Sequence, residues 1–271
     1  MKKPLTAAEK AIPYAKYYDM PVDLLTEEEE RLCAAPLPIE QVLPIEQAAQ
    51  FVVGGDTFIG APNGYYLYAD GRSYRANCKV VPNVTRDMCL WWFQWMSYQP
   101  KGIGKECGHL RYKIWCPLDH WDYYPLNEND PSAGNVVVES FDLGAGEPLR
   151  YMVGRDGDPA ALGITQEMME KAHAEGRWPG VGSGFDLEGN PTGVSISQFR
   201  DIPGGCEWSA RSWSGYTFRE GKLVKVENFK KQTVADARGE IVHNLVEESR
   251  LGKLLPLIYA EYKDKPIDED F

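Results

Sequence analysis

Histidine is scarce in this chain of 271 residues, with four in all: His109, His120, His173 and His243. Any chemistry that needs an imidazole is thereby confined to a handful of positions. Basic residues are also in deficit, 29 Lys and Arg against 40 Asp and Glu, for a formal net charge of −11. That balance argues against nucleic acid, which is bound through a basic surface, and against an anionic membrane surface. No stretch approaches the roughly eighteen apolar residues of a membrane span; the densest, 88–96, is too short and too aromatic. The opening Met1-Lys2-Lys3-Pro4-Leu5 has no apolar stretch behind its basic residues, so no signal peptide is expected. The six cysteines form no CxxC pair and no zinc-ribbon spacing. Reduced thiols in a cytoplasmic setting are the expectation, and each cysteine reads as a small core residue rather than a nucleophile. There is no GxSxG elbow and no P-loop. The glycines at 180–184 follow no strand of a βαβ unit, which excludes a dinucleotide fingerprint.

What is present suffices for a full core, at 43% hydrophobic and 12% aromatic residues. Residues 1–50 read as a helical arm, placed against a partner subunit in a homodimer, and residues 51–271 as the main domain. In the arm, Thr26 with Glu29 makes a capping-box start for a short helix through Leu32, after which Pro36, Pro38 and Pro44 break the chain into pieces. Strand-like runs at 65–69 and 74–81 are joined by Asp70-Gly71, a hairpin signal. Thr85 caps a helix whose Trp and Met residues read as packing. Further strands are predicted at 107–116, 134–142, 149–154, 194–202, 206–219 and 222–231, with a tight turn at Glu220-Gly221. The Gly-, Pro- and Glu-rich stretch 155–193, around a short helix at 165–175, reads as a long insertion or lid. A final helix spans 236–262, where Pro256 is expected to introduce a kink. Many antiparallel strands with a long C-terminal helix predict an α+β fold, a curved sheet around that helix enclosing a cavity.

The most informative motif lies on that helix. His243 and Glu247 are four residues apart, hence on one face, in line with Leu251, Leu254 and Ile258. An ionisable pair in an apolar stripe needs something positive to hold its carboxylate, and a metal ion does so; a plain His–Glu hydrogen bond near a helix start is the simpler alternative. His120 follows a predicted strand, in a position suited to a ligand or to an exposed loop histidine. His173 sits in a polar helix and reads as solvated, and His109 as a strand residue of core or surface. Glu139 shares a strand face with Val137 and Phe141, against Val136, Val138 and Ser140 on the other face. Turned inward, Glu139 with His120, His243 and Glu247 makes a two-His, two-Glu site that suits zinc, with non-haem iron the competing metal.

The run from Arg111 to His120, the strand Asn135-Val136-Val137-Val138-Glu139 and the helix start His243-Asn244-Leu245-Val246-Glu247 together resemble the zinc hydrolases of acylphloroglucinols, phloretin hydrolase and 2,4-diacetylphloroglucinol hydrolase. The resemblance covers roughly residues 60–260. It implies a helix-grip fold like that of the birch-pollen allergen, with a small helical N-terminal part. It implies Zn2+ held by His120, Glu139, His243 and Glu247, and hydrolysis of the carbon–carbon bond between an aromatic ring and a ketone carbonyl in a small phenolic substrate. Tyr112 matches a family tyrosine that hydrogen-bonds a ring hydroxyl. Tyr123 stands where the diacetylphloroglucinol branch has asparagine, which leans toward phloretin, whose acyl chain is longer and carries a phenol. Arg211 and Tyr216, on a late strand, are further candidates for the cavity wall. A non-catalytic helix-grip binder of phenolic ligands and a non-haem iron oxygenase are the competing functions.

Overall fold

A computed structural model of the chain describes residues 2–53, 61–99, 102–144 and 149–267. Short helices α1 (Ala7–Lys10), α2 (Glu27–Cys33) and α3 (Ala49–Val53) precede strands β1 (Gly64–Leu67) and β2 (Ser73–Pro82). Helices α4 (Arg86–Met96) and α5 (Leu110–Trp115) lead into β3 (His120–Pro125), β4 (Asn135–Glu139) and β5 (Arg150–Asp156). After α6 (Gln166–Ala174) come β6 (Arg177–Phe185), β7 (Pro191–Ile202), β8 (Gly205–Ser214), the ribbon β9 (Tyr216–Arg219) and β10 (Lys222–Lys225), and the long helix α7 (Val234–Tyr262). Eight strands form one antiparallel sheet in the order β1-β2-β8-β7-β6-β5-β4-β3. The α+β architecture is therefore as expected: a large antiparallel sheet and a C-terminal helix.

Strand alternation gives the sheet two faces. Tyr74, Ala76, Val194, Ile196 and Trp213 pack on the face away from α7, with Leu43, Ile45 and Phe51 of the N-terminal region. The other face carries α7, which lies on β1 and β2 and meets α4 and α5. There Leu251, Leu254, Leu255 and Ile258 join Trp92, Trp95, Leu110 and Trp115 in a second apolar core. Helix α7 starts at Thr233, whose hydroxyl accepts from the Asp236 amide while the Asp236 side chain returns to the Thr233 amide, a full capping box.

Four expectations change. The predicted strand 107–116 is helix α5, with His109 as its N-cap: the His109 ring accepts from the Tyr112 amide at 3.2 Å. All six α5 residues are buried, so its aromatic and β-branched content reads as strand although no alternation is present. The stretch 155–193 supplies α6 and also β6, an interior strand between β5 and β7; its glycines hid it, since glycine is depleted in strands. The predicted strand 206–219 breaks at Gly215, whose φ of 72° ends β8 and starts β9. The N-terminal region packs on its own chain: Tyr14, Tyr17 and Tyr18 belong to the α7 core, and the buried Arg250 guanidinium donates to the carbonyls of Tyr17, Met20 and Pro21 at 2.8 Å each. Among the described residues, no helix is long and apolar enough to cross a membrane.

Candidate metal centre

His120 opens β3 directly after α5, where its amide donates to the Cys116 carbonyl at 2.8 Å. Its ring stacks on Tyr112 (centroids 3.9 Å apart, 6° between planes) and meets Trp115 edge-on at 5.0 Å. Nδ1 lies 3.1 Å from the Tyr112 carbonyl. A carbonyl only accepts, so Nδ1 carries the proton and Nε2 presents its lone pair. His243, on α7, is fixed the same way: Nδ1 lies 2.9 Å from Asp119 Oδ2. Asp119 is itself held, with Ser140 Oγ donating at 3.1 Å and the Ser140 amide donating to the Asp119 carbonyl at 2.9 Å.

The two Nε2 atoms face each other at 3.3 Å. Glu247, one turn beyond His243, places Oε2 3.2 Å from His120 Nε2 and 3.8 Å from His243 Nε2. Glu139 is the direct cross-strand neighbour of His120 and of Arg150, which puts its side chain on the α7 face, the side of Val137. Its Oε1 is 3.5 Å from His120 Nε2 and its Oε2 3.6 Å from His243 Nε2, and the Tyr112 hydroxyl donates to Oε1. All four side chains are buried.

Burial and mutual proximity shift all four groups. Burial pushes Glu247 up to about 7, and burial with the nearby Glu247 charge pushes Glu139 up to about 7. His243 is drawn down by burial but driven up more strongly by Glu139, Asp119 and Glu247, to about 9. Burial, then the neighbouring His243, holds His120 well below the ordinary imidazole range. Two imidazole nitrogens and two carboxylates aimed at one point are a donor set that suits a divalent transition-metal ion. Tetrahedral bonds of about 2.0–2.1 Å imply donor–donor edges of about 3.3 Å, and the observed separations run from 3.2 to 3.8 Å. The residues fit a metal.

Sequence reasoning missed two neighbours. One ligand atom each from Cys116, His120 and His243 lie within 4.8 Å of one another, so a Cys-His-His set also borders this point. Burial raises the Cys116 thiol above its ordinary range, which leaves the imidazoles and carboxylates as the readier donors. Asp119 was the other omission; its place beside His120 in the sequence hints at the site but not at its bond to His243.

Of the remaining candidates, Tyr112 is buried within the cluster, and Tyr123 is half-buried with its ring 5.6 Å from that of Tyr112. Arg211 and Tyr216 are not brought there. Arg211 lies on the opposite face of the sheet, donating to the Ala61, Asn77 and Ala210 carbonyls over the Phe51 ring. Tyr216 sits on β9 near Arg72 and Ile45. His173 is exposed beside Trp178.

An open cavity of about 1010 Å³ adjoins the cluster, with Val137, Glu139 and Phe141 on its near wall. The Phe141 ring meets the His243 ring edge-on at 5.0 Å.

Comparison with known proteins identifies the family. The sequence model of the DAPG hydrolase PhiG domain matches residues 56–260. The chain is 28% identical to phloretin hydrolase of Eubacterium ramulus over 274 residues, covering 94% of this chain and 92% of that protein. It is 23% identical to 2,4-diacetylphloroglucinol hydrolases of a Pseudomonas species and of Pseudomonas protegens, over 94% of this chain and 90% and 86% of theirs. The chain is therefore a hydrolase and belongs to the DAPG hydrolase PhiG domain family.

Proposed function

We propose that the protein hydrolyses the carbon–carbon bond joining a hydroxylated aromatic ring to a ketone carbonyl in an acylphloroglucinol, with phloretin cleaved to phloroglucinol and 3-(4-hydroxyphenyl)propanoate. The observation that carries this is the convergence of His120, Glu139, His243 and Glu247 beside a cavity of small-ligand size, in a chain of this family. These four residues would hold Zn2+. A bound zinc supplies Lewis acidity and makes water a better nucleophile at neutral pH.

The rest falls to the protein. With three alternating hydroxyls the ring reaches a keto form, so its bond to the acyl carbon becomes that of a 1,3-diketone. Adding water across that bond gives the acyl carbon a hydroxyl and the ring carbon a proton. The Tyr112 hydroxyl, hydrogen-bonded to Glu139, is placed to hold a ring hydroxyl and pass its proton. Tyr123, beside Tyr112, offers the ring an aromatic wall. Asp119 keeps the His243 tautomer fixed.

The arrangement of α7 across the sheet supports reading the fold as helix-grip. Six unpaired cysteines agree with a cytoplasmic setting. A homodimer stands as a separate proposal that light scattering decides, because the N-terminal region, turned onto its own chain, does not carry it.

The test is release of phloroglucinol from phloretin by the full chain, before and after chelation and with zinc restored. Turnover lost on chelation and regained with zinc is expected. Metal-loaded protein that cleaves no acylphloroglucinol would overturn the reading in favour of a phenol-binding protein; iron with oxygen consumption would overturn it in favour of an oxygenase.

A further inference from the structure

The α7-facing side of the sheet is unfilled over its β5–β8 half. Cross-strand partners share a face, and two rows cross it: Arg75, Ser212, Ser195 and Gly182; then Ser214, Gly193, Gly184 and Gly154. A helix packed on a sheet ordinarily buries large apolar side chains there. Here a floor of glycine and serine leaves the cavity of about 1010 Å³, at the upper end of the roughly 300–1,000 Å³ of small-ligand sites. A Cβ at Gly154 would meet nothing within 4 Å, so the floor opens freely into that space.

Another wall is a charge cluster at the start of α7, reached from Glu139 through its cross-strand neighbour Arg150. Arg75 pairs with Glu240 and donates from Nε to Ser212 Oγ at 3.0 Å. Arg150 Nη2 donates to Asp236 Oδ1 at 2.8 Å, while its Nη1 stays 3.6 Å from Glu240 Oε1, beyond hydrogen-bond range, with an N–H to offer. Around the cavity four basic side chains, Arg75, Arg150, Arg155 and Lys230, face four carboxylic ones, Glu139, Asp186, Asp236 and Glu240, a balance that suits a neutral hydroxyl better than an anion. Phe141 bridges this wall and the metal centre, its ring 5.0 Å from that of His243 and 5.0 Å from the Arg150 guanidinium carbon.

We propose that this wall is a second substrate subsite, in which Arg75, Arg150, Asp236, Glu240 and Ser212 receive the hydroxyl at the tip of an arylacyl chain, so that the enzyme selects acylphloroglucinols with a long, hydroxyl-terminated acyl group. The inference rests on the acylphloroglucinol reading above. From the carbonyl carbon, a three-carbon chain ending in a para-hydroxyphenyl ring spans about 8 Å, and Phe141 touches both the metal-centre side and the Arg150 side of the cavity at 5.0 Å. An acetyl group leaves the subsite empty.

Three substrates test it with the full chain: phloretin, its analogue lacking only the terminal hydroxyl, and acetylphloroglucinol. The wild type should favour phloretin over the deoxy analogue by about tenfold or more in kcat/KM, because a site built for a hydroxyl is left with unpaired groups by the analogue. Arg150→Gln should bring that ratio close to one while zinc content is kept. Gly154→Leu, whose Cβ meets no heavy atom within 4 Å, should lower the phloretin-to-acetylphloroglucinol ratio by about tenfold. Should Arg150→Gln not fold, Ser212→Ala and Gly154→Leu carry the test. Ratios equal to the wild type's in folded variants would overturn the subsite. If the wild type cleaves none of the three, the functional reading has failed separately. Calorimetric binding of phloretin and its deoxy analogue then decides the subsite, equal affinities overturning it.

Discussion

One stripe of α7 changes character halfway along. Asp236, Glu240, His243, Glu247, Leu251, Leu254, Ile258 and Tyr262 follow one another at intervals of three or four residues, and so lie on one side of the helix. The second four are buried among Trp92, Trp95, Tyr14 and Leu110. The first four meet the metal cluster and the charge-lined cavity, where the sheet offers glycine and serine. Burial is nearly as complete at His243 and Glu247 as at Leu254, yet only the apolar half gains from it. A buried carboxylate costs free energy unless paired, so the first half is held in place by the second half and by the Thr233 cap, and the proposed ion would add to that hold. The apolar half anchors the helix, and the ionisable half is carried by it.

The comparison breaks first at the ligands. His243→Ala or Glu247→Ala should remove the metal and abolish phloretin cleavage, as read by metal analysis and product release; full turnover without metal would mean that the polar half serves stability alone. In the apolar half, Leu254→Ala should cost about 2–5 kcal/mol in denaturant unfolding while the folded fraction keeps its metal. Metal loss from a still-folded L254A protein would show the halves to be less separate than drawn. A smaller effect is expected at Asp119, which orients His243 but is not one of the four proposed ligands: Asp119→Asn should weaken metal affinity or turnover by about 10–100-fold, measured by competition with a chelator. An unchanged affinity would make the Asp119 bond merely structural.

The gentlest probe is pH. The Glu139 and Glu247 carboxyls titrate near 7 in the fold, above their ordinary range, so the metal-free fold loses their contribution as pH rises toward and through 7. His243, raised to about 9, adds stability that is full below the ordinary imidazole range and lost as pH rises through 9. A metal takes the same groups deprotonated and competes with those protons. The Tm gap between metal-loaded and chelated protein should therefore widen from pH 5.5 to 8.5. A constant gap would mean that the ion binds elsewhere.

Much of this was legible in the chain, for local reasons. Four-residue spacing put His243 and Glu247 on one side of a helix, and alternation put Glu139 with Val137 on the face that proves to carry the cluster. Other features depend on contacts that no local pattern encodes. Asp119 matters through a bond to a residue 124 positions away. On β8 alternation sets Arg211 on the face opposite Ser212, but it does not say which of the two faces carries α7. Strand β6 was hidden because Gly182 and Gly184, which keep the cavity open, also suppress the strand signal. The charge cluster of Arg75, Arg150 and Glu240 is gathered from β2, β5 and α7, and exists only once the sheet has formed.

The central claim is that the polar half of α7 helps to hold a metal. Metal content by plasma emission spectrometry, on full-length protein purified without added metal, tests it most directly. The account predicts close to one zinc per chain in the wild type and almost none in H243A. Wild-type protein that contains no metal, and that cleaves phloretin regardless of chelator, would contradict it.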